Sequence, residues 1–371
     1  MKIIITYASA GAGHRRAAEA IYNYFKENCP ALDLKIIDAL EKTNFCFKNA
    51  YNYGYPFLVN HALWLWRFSF WLTYIRSLRP FGKTILSVIN QLNTRRLSDF
   101  LIQEDPDFII STHFLPSEIA ARLKRKHKLA SKLITVITDF GVHPFWIAQG
   151  TDTYVVACDV SKQKLIREGA KGAEIKILGI PIDTRFIKQY DKYALCRKFG
   201  LKPDEFTILI VTGSFGVGRI EEVVDLLYED AQILAVCANN KKLYTRLKEK
   251  DYPRLRVFGF IDNIEELMAI SDIMVAKPGG LTVSESLAME LLPVFITSIP
   301  GQETENADIL SVKSLSINVR KITALRDIVL DFKAHPDKLK SIKENIRREK
   351  RPYAVKDLCN AICQGSLRPA N

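Results

Sequence analysis

Lys2-Ile-Ile-Ile-Thr-Tyr-Ala-Ser-Ala-Gly-Ala-Gly-His14 is a β-branched run that stops at a glycine turn. The run predicts a short buried strand over Lys2–Tyr7, broken by Gly11-Ala12-Gly13. From Arg15 to Glu27 the apolar residues Ala17, Ala20, Ile21, Tyr24 and Phe25 recur at helical spacing. Leu34–Ile37 reads as a second strand. Strand, glycine turn, helix and strand in that order predict a parallel sheet of the doubly wound type, because parallel neighbours need a crossover between them. The opening apolar run is only about five residues, shorter than the core of a secretory signal, so a strand is the better reading.

Further short apolar strands are expected at Phe108–Ser111, Leu133–Thr138, Thr153–Ala157 and Ile175–Leu178. The pattern breaks at Gly179-Ile180-Pro181-Ile182-Asp183 and restarts after Lys202-Pro203. A strand over Thr207–Thr212 enters a second glycine turn, Gly213-Ser214-Phe215-Gly216-Val217-Gly218, and a helix begins at Glu221. Gln232–Ala238, Leu255–Gly259, Ile273–Ala276 and Val294–Ile296 complete the expected strands. The chain therefore divides into two Rossmann-like α/β domains, 1–180 and 181–351, followed by a C-terminal helix within 352–371. Two such domains facing one another put a cleft at the carboxyl ends of both sheets, where ligands bind in these folds.

Composition leaves the partner open. The 371 residues carry a net charge of +12. Residues 1–150 hold 19 Lys/Arg against 11 Asp/Glu, and the remainder 34 against 30. An anionic membrane surface or a phosphorylated substrate fits that excess, while nucleic acid has no motif behind it. Seven scattered cysteines without a CxxC pair argue for thiols in a reducing compartment rather than a disulfide framework.

The stretch richest in chemistry is Ala276-Lys-Pro-Gly-Gly-Leu-Thr-Val-Ser-Glu-Ser-Leu-Ala288. A strand runs into Pro278-Gly279-Gly280, and a helix starts near Leu281 or Thr282. Glycines at a helix entrance admit close approach, and the free N–H groups and helix dipole there favour a diphosphate. Glu285, about one turn in, is a candidate acceptor for ribose hydroxyls; the alternative is a tight turn and a solvated glutamate. One strand further on, a loop with Gln302, Glu303 and Asn306 offers the amides and carboxylates that reading sugar hydroxyls requires.

Those residues carry a resemblance. Lys277-Pro-Gly-Gly-Leu-Thr-Val-Ser-Glu-Ser-Leu-Ala-Met289 followed by Ile299-Pro-Gly-Gln-Glu-Thr-Glu-Asn306 is similar to the donor half of the diacylglycerol glycosyltransferases. That family includes bacterial processive glucosyltransferases and plant monogalactosyldiacylglycerol synthases. It is related to the transferase that adds GlcNAc to a lipid-linked peptidoglycan precursor. Ala8-Ser-Ala-Gly-Ala-Gly-His14, Ile137-Thr-Asp-Phe-Gly-Val-His-Pro-Phe-Trp146, Gly179-Ile-Pro-Ile182 and Val257-Phe-Gly-Phe260 resemble the family's other motifs in order.

The resemblance implies a GT-B fold and an inverting transfer of a hexose from a UDP-sugar to diacylglycerol or a glycosyl-diacylglycerol. UDP-glucose or UDP-galactose would serve as co-substrate, with no further cofactor. It places the diphosphate at Gly279, Gly280, Leu281 and Thr282, the ribose at Glu285 and the uracil at Phe260. The sugar would lie near Gln302, Glu303 and Asn306, with Gly213, Ser214, Phe215 and Gly216 approaching the donor. It also has the C-terminal helix pack back on the first domain. The enzyme would sit peripherally at the cytoplasmic face of the cell membrane. A GlcNAc transferase acting on a polyprenyl-linked cell-wall precursor, and a non-catalytic UDP-sugar sensor, are the alternatives.

Inversion needs a base for the acceptor hydroxyl. His14 suits it, Asp139 could serve instead or orient a histidine, and His143 could assist. No metal is expected, since the one D-x-D triplet, Asp105-Pro106-Asp107, reads as a turn before a strand and a helix N-terminus can offset the leaving diphosphate. Gly13 and Trp146 belong to the acceptor-side motifs. Tyr51–Lys83 holds eleven aromatics with Arg67, Arg76, Arg79 and Lys83. Trp64, Trp66, Arg67 and Trp71 are the residues there expected at a headgroup boundary.

Overall fold

A computed structural model describes residues 1–9, 11–54, 62, 64, 87–170, 172–211, 219–296 and 301–365. It contains two six-stranded parallel sheets, each in its own compact unit. The first unit runs from Met1 to Asp183 and takes in Gln302 and the residues from Tyr353 onward; the second holds 184–298 and 303–352.

The first sheet has the order β2-β1-β3-β4-β5-β6. Its strands are β1 Lys2–Tyr7, β2 Asp33–Asp38, β3 Phe108–Ser111, β4 Lys132–Val136, β5 Thr153–Val156 and β6 Glu174–Ile177. Ile3, Ile4, Ile5 and Thr6 are all fully buried. Continuous apolar runs are what a strand covered on both faces demands. Ile3 and Ile5 pack with Phe25, Phe108, Ile110, Leu358 and Ile362 on one face. Ile4 points the other way and joins Leu97, Leu101, Ile109, Ile119 and Leu133. Each such isoleucine contributes about 1.5–3 kcal/mol by leaving water. The C-terminal helix Ala354–Cys363 lies against the first helix, Ala12–Asn28, and inserts Leu358, Cys359 and Ile362 into the same core.

The second sheet has the order β12-β11-β10-β7-β8-β9. Its strands are β7 Thr207–Val211, β8 Gln232–Val236, β9 Leu255–Phe258, β10 Ile273–Ala276, β11 Leu292–Phe295 and β12 Ile317–Asn318. In both sheets the strand order reverses beside the opening strand: β1 sits between β2 and β3, and β7 between β8 and β10. Loops leaving the carboxyl ends of such neighbours diverge to opposite faces and leave a crevice.

The structure departs from the sequence reading in four places. The first helix begins at Ala12 rather than Arg15. Gly11, at φ 121, turns the chain into it, and Gly13 is already helical. Gln302, Glu303 and Asn306 lie in a helix, Gln302–Val312, and not in a loop. Gly301, at φ 115, turns the chain into it, and Glu303 and Glu305 stand at its positive end. Strand β4 stops at Val136, so Thr138 and Asp139 belong to the following loop. The two-residue β12 is additional. Residues Gly213–Gly216, Trp66, Arg67 and Trp71 lie outside the described residues. Among the described residues no helix is long and apolar enough to cross a membrane.

Candidate functional site

In the first unit three adjacent strands deliver their carboxyl ends to His14. The turn after β1 leads straight into the helix whose first turn holds this histidine. Thr112 follows β3, and Thr138 follows β4. His14 Nδ1 lies 2.8 Å from the Thr112 carbonyl oxygen and 2.8 Å from Thr138 Oγ1. A carbonyl only accepts, so Nδ1 carries the proton and Nε2 keeps its lone pair. Thr112 is itself fixed, its N–H donating to Thr6 O at 2.9 Å and its hydroxyl to His14 O at 2.9 Å. Desolvation lowers the His14 pKa to about 4, against the smaller opposing effect of the Thr112 hydrogen bond. At neutral pH the ring is therefore a neutral imidazole with a defined tautomer.

The sequence reading missed His113. Its ring stands edge-on to His14, with centroids 4.6 Å apart and planes at 84°. His113 is buried and caps the helix Phe114–Arg125, Nδ1 accepting from Leu115 N–H at 3.1 Å. Burial first, and then the neighbouring His14, hold its pKa well below the ordinary range. A second protonated ring beside His14 is thereby excluded at neutral pH. The signal in the sequence is faint, since His113 stands two residues beyond an apolar strand and carries no motif.

His143 is buried too and caps the short turn Pro144–Trp146, accepting from Phe145 N–H at 3.2 Å. Trp146 is only 1% exposed and packs 6.0 Å from His14 and 6.4 Å from His113, centroid to centroid. It is part of the wall behind His14 rather than a surface anchor. Its indole N–H has no protein partner among the described residues. Asp139 does not meet His14 Nδ1, which the two threonines already occupy; its Oδ2 accepts from Gln302 Nε2 at 3.3 Å. Trp64 lies elsewhere and is 73% exposed.

In the second unit β10 ends at Ala276 and the helix Gly280–Ala288 begins four residues later. Gly279 is its N-cap, with no side chain capping the first turn. The N–H groups of Gly280, Leu281 and Thr282 precede the first intrahelical donor, Val283 N–H, which reaches Gly279 O at 3.0 Å. A Cβ built on Gly279 would meet nothing within 4 Å, so the turn faces open space. Asn306, fully buried, donates from Nδ2 to Pro278 O at 2.9 Å and fixes that turn. It acts as a brace for the helix entrance. Glu285 is 4% exposed, one turn inside. Phe260 is exposed just beyond β9. Glu303 is half-buried in the first turn of its helix.

Asn306→Ala leaves the buried Pro278 carbonyl without its donor. It is expected to cost ~1–3 kcal/mol of unfolding free energy, read from the urea midpoint. An unchanged midpoint would mean that the Pro278 turn holds without the brace.

Comparison with known proteins finds a family match for each half of the chain. The family model for monogalactosyldiacylglycerol (MGDG) synthase matches residues 14–182, and that for the glycosyltransferase family 28 C-terminal domain matches 207–358. The chain is 30% identical over 358 residues to a processive diacylglycerol beta-glucosyltransferase of Bacillus licheniformis, covering 93% of this chain and 90% of that protein. The protein of the same name from Staphylococcus haemolyticus is 29% identical, with 97% and 92% covered. Among solved structures, MurG of Acinetobacter baumannii has the same fold, with a TM-score of 0.61 at 13% identity over 98% of this chain and 99% of that one.

Proposed function

The chain belongs to the diacylglycerol glycosyltransferase family, and from that premise we propose that it is an inverting hexosyltransferase. It moves a hexose from a UDP-sugar to diacylglycerol or a glycosyl-diacylglycerol. The observation that carries the assignment of roles is the pinned tautomer of His14. Nδ1–H is held by Thr112 O and Thr138 Oγ1, leaving Nε2 as a base. In the transfer, the acceptor oxygen bonds to the sugar's anomeric carbon while the bond to the diphosphate breaks. The hydroxyl proton passes to His14 Nε2, and UDP leaves. Asp139, held by Gln302, orients the sugar or the acceptor. His143 shapes the same loop, and Gly13 precedes His14 in the first turn of its helix.

On the donor side, the free N–H groups at Gly280, Leu281 and Thr282 offset the charge developing on the diphosphate, and Glu285 accepts from the ribose. Phe260 holds the uracil through its backbone groups, and Gln302 and Glu303 read sugar hydroxyls; Gly213, Ser214, Phe215 and Gly216, outside the described residues, are assigned to the donor as well. Asn306 contributes by bracing the Pro278 turn. Glucose is the hexose this reading favours, from the names of the relatives.

The experiment is UDP release and lipid mass spectrometry with the five common UDP-sugars, with and without diacylglycerol vesicles. Release that requires the lipid, with a product heavier by one hexose, supports transfer. Binding of UDP-sugar with no release under either condition would reduce the protein to a sensor.

Access to diacylglycerol requires the bilayer surface. Large apolar side chains exposed in the first unit concentrate between residues 45 and 92. Phe45 is 78% exposed and Leu92 75%, and Tyr53, Trp64, Val88 and Ile89 are exposed with them. Aromatic and aliphatic side chains on a basic background are what an anionic lipid interface takes up. Phe45→Ser with Leu92→Ser is expected to lower binding to anionic vesicles several-fold and to leave the UDP affinity unchanged. Cosedimentation equal to the parent protein would remove this surface from the membrane contact. The cytoplasmic face of the cell membrane is the location this reading requires.

A further inference from the structure

Three thiols far apart in sequence meet where the first helix ends against the C-terminal helix. Cys29 is the C-cap of the first helix, its own N–H closing on Phe25 O at 2.8 Å. Cys359 and Cys363 are four residues apart on Ala354–Cys363, which puts both on one face. The Sγ of Cys29 lies 3.4 Å from that of Cys359 and 3.3 Å from that of Cys363. All three sulfurs fall within 4.8 Å of one another. Among the described residues this is the one group of metal-type side chains so closely gathered.

We propose that Cys29, Cys359 and Cys363 form a binding site for a single thiophilic divalent cation of the Zn(II) class. The sulfur triangle is of the right size. One ion can stand at about 2.3 Å from three sulfurs spaced in this way, with side-chain adjustments of a few tenths of an ångström. A disulfide would need one pair to close to about 2.05 Å and would leave the third thiol unused. Cys359 is buried, whereas Cys29 and Cys363 are half-buried, so an ion has a way in and a solvent molecule can take the fourth position.

Among the described residues, no positively charged group opposes the rise of the Cys359 thiol. Burial first, then hydrogen bonding and repulsion from the other two sulfurs, push the Cys359 thiol up. The nearby Tyr24 hydroxyl is raised too, by burial and then by the charges of Cys359 and Cys29. A divalent ion would displace the three thiol protons to solvent as it forms three metal–sulfur bonds. The result is a cross-link between the helix that carries His14 and the helix that ends the described chain.

The full-length protein, reduced and stripped with a chelator, is titrated with ZnCl₂ against a chromophoric zinc indicator. Tm is followed in parallel. One equivalent bound with submicromolar affinity, and a Tm raised by several degrees, is the expected result. Cys29→Ser and Cys363→Ser should each weaken that binding at least about tenfold and abolish the Tm shift. Cys46→Ala, which removes an exposed thiol outside the cluster, should change neither. No binding by the reduced protein, or binding that survives both serine variants, would overturn the proposal. Circular dichroism of the metal-free variants separates lost binding from lost folding.

Discussion

His14→Ala is expected to lower kcat about 10²- to 10⁴-fold while leaving the Kd for UDP-sugar within about twofold. The split follows from position. His14 belongs to the first unit, and its hydrogen bonds run to Thr112 and Thr138 of that unit. The diphosphate seat is assigned to the second unit, at Gly280. Loss of a base removes an interaction made only in the transition state, which appears in kcat and kcat/KM together.

The pH profile gives a second readout. The His14 pKa is lowered to about 4, so the unprotonated base is present at every pH above that value. Activity should fall on the acid side near pH 4, about 2.5 units below where an ordinary histidine would act. Thr138→Val, which removes one of the two partners of Nδ1, should move that limb and lower kcat without unfolding the protein. Full turnover by His14→Ala would end the base assignment. An abolished rate in Asp139→Asn would then transfer the role to the carboxylate.

The second large effect is expected on the donor side. Glu285→Ala should weaken UDP binding by ~3 kcal/mol, about 100-fold in Kd, as measured by calorimetry. A carboxylate that is 4% exposed one turn inside the Gly280 helix has already given up most of its hydration. Two ribose hydroxyls donating to it would each form a charge-assisted bond. Glu285→Gln keeps the shape and one acceptor and should fall between alanine and the parent. kcat at saturating donor should change little, which distinguishes this variant from His14→Ala. UDP affinity untouched in Glu285→Ala would show that the carboxylate serves the helix and not the nucleotide.

Much of this arrangement is legible in the sequence for a physical reason. A strand buried on both faces has to be apolar at every position, so Ile3–Ile5 and Ile273–Ala276 stand out without any alternation to count. The Gly280 helix entrance is legible because two adjacent glycines after an apolar strand leave the first N–H groups of a helix uncovered by side chains. Elsewhere the signal is lost. Gln302–Val312 has few apolar residues and buries only Asn306, Ala307 and Leu310, so it reads as a polar loop. His113 has no motif; only the placement of β3 beside β1 brings it against His14. The roles of Thr112 and Thr138 depend equally on the order of strands, which local pattern does not encode. Asn306 illustrates the reverse case: the residue is noticed for its amide, and the amide holds Pro278.

The final helix, with Leu358 and Ile362 sealed against Ile3 and Ile5, has a consequence for how the protein is made. A nascent chain can lay down β1 to β6 early, yet their exposed flank stays uncovered until the helix Ala354–Cys363 emerges, about 180 residues after β6. At roughly 5–20 residues per second that delay is about ten to forty seconds. During it the growing polypeptide presents a sticky strip that chaperones or a nearby bilayer would have to shield. Chains truncated before Ala354 should therefore yield aggregates rather than a functional half.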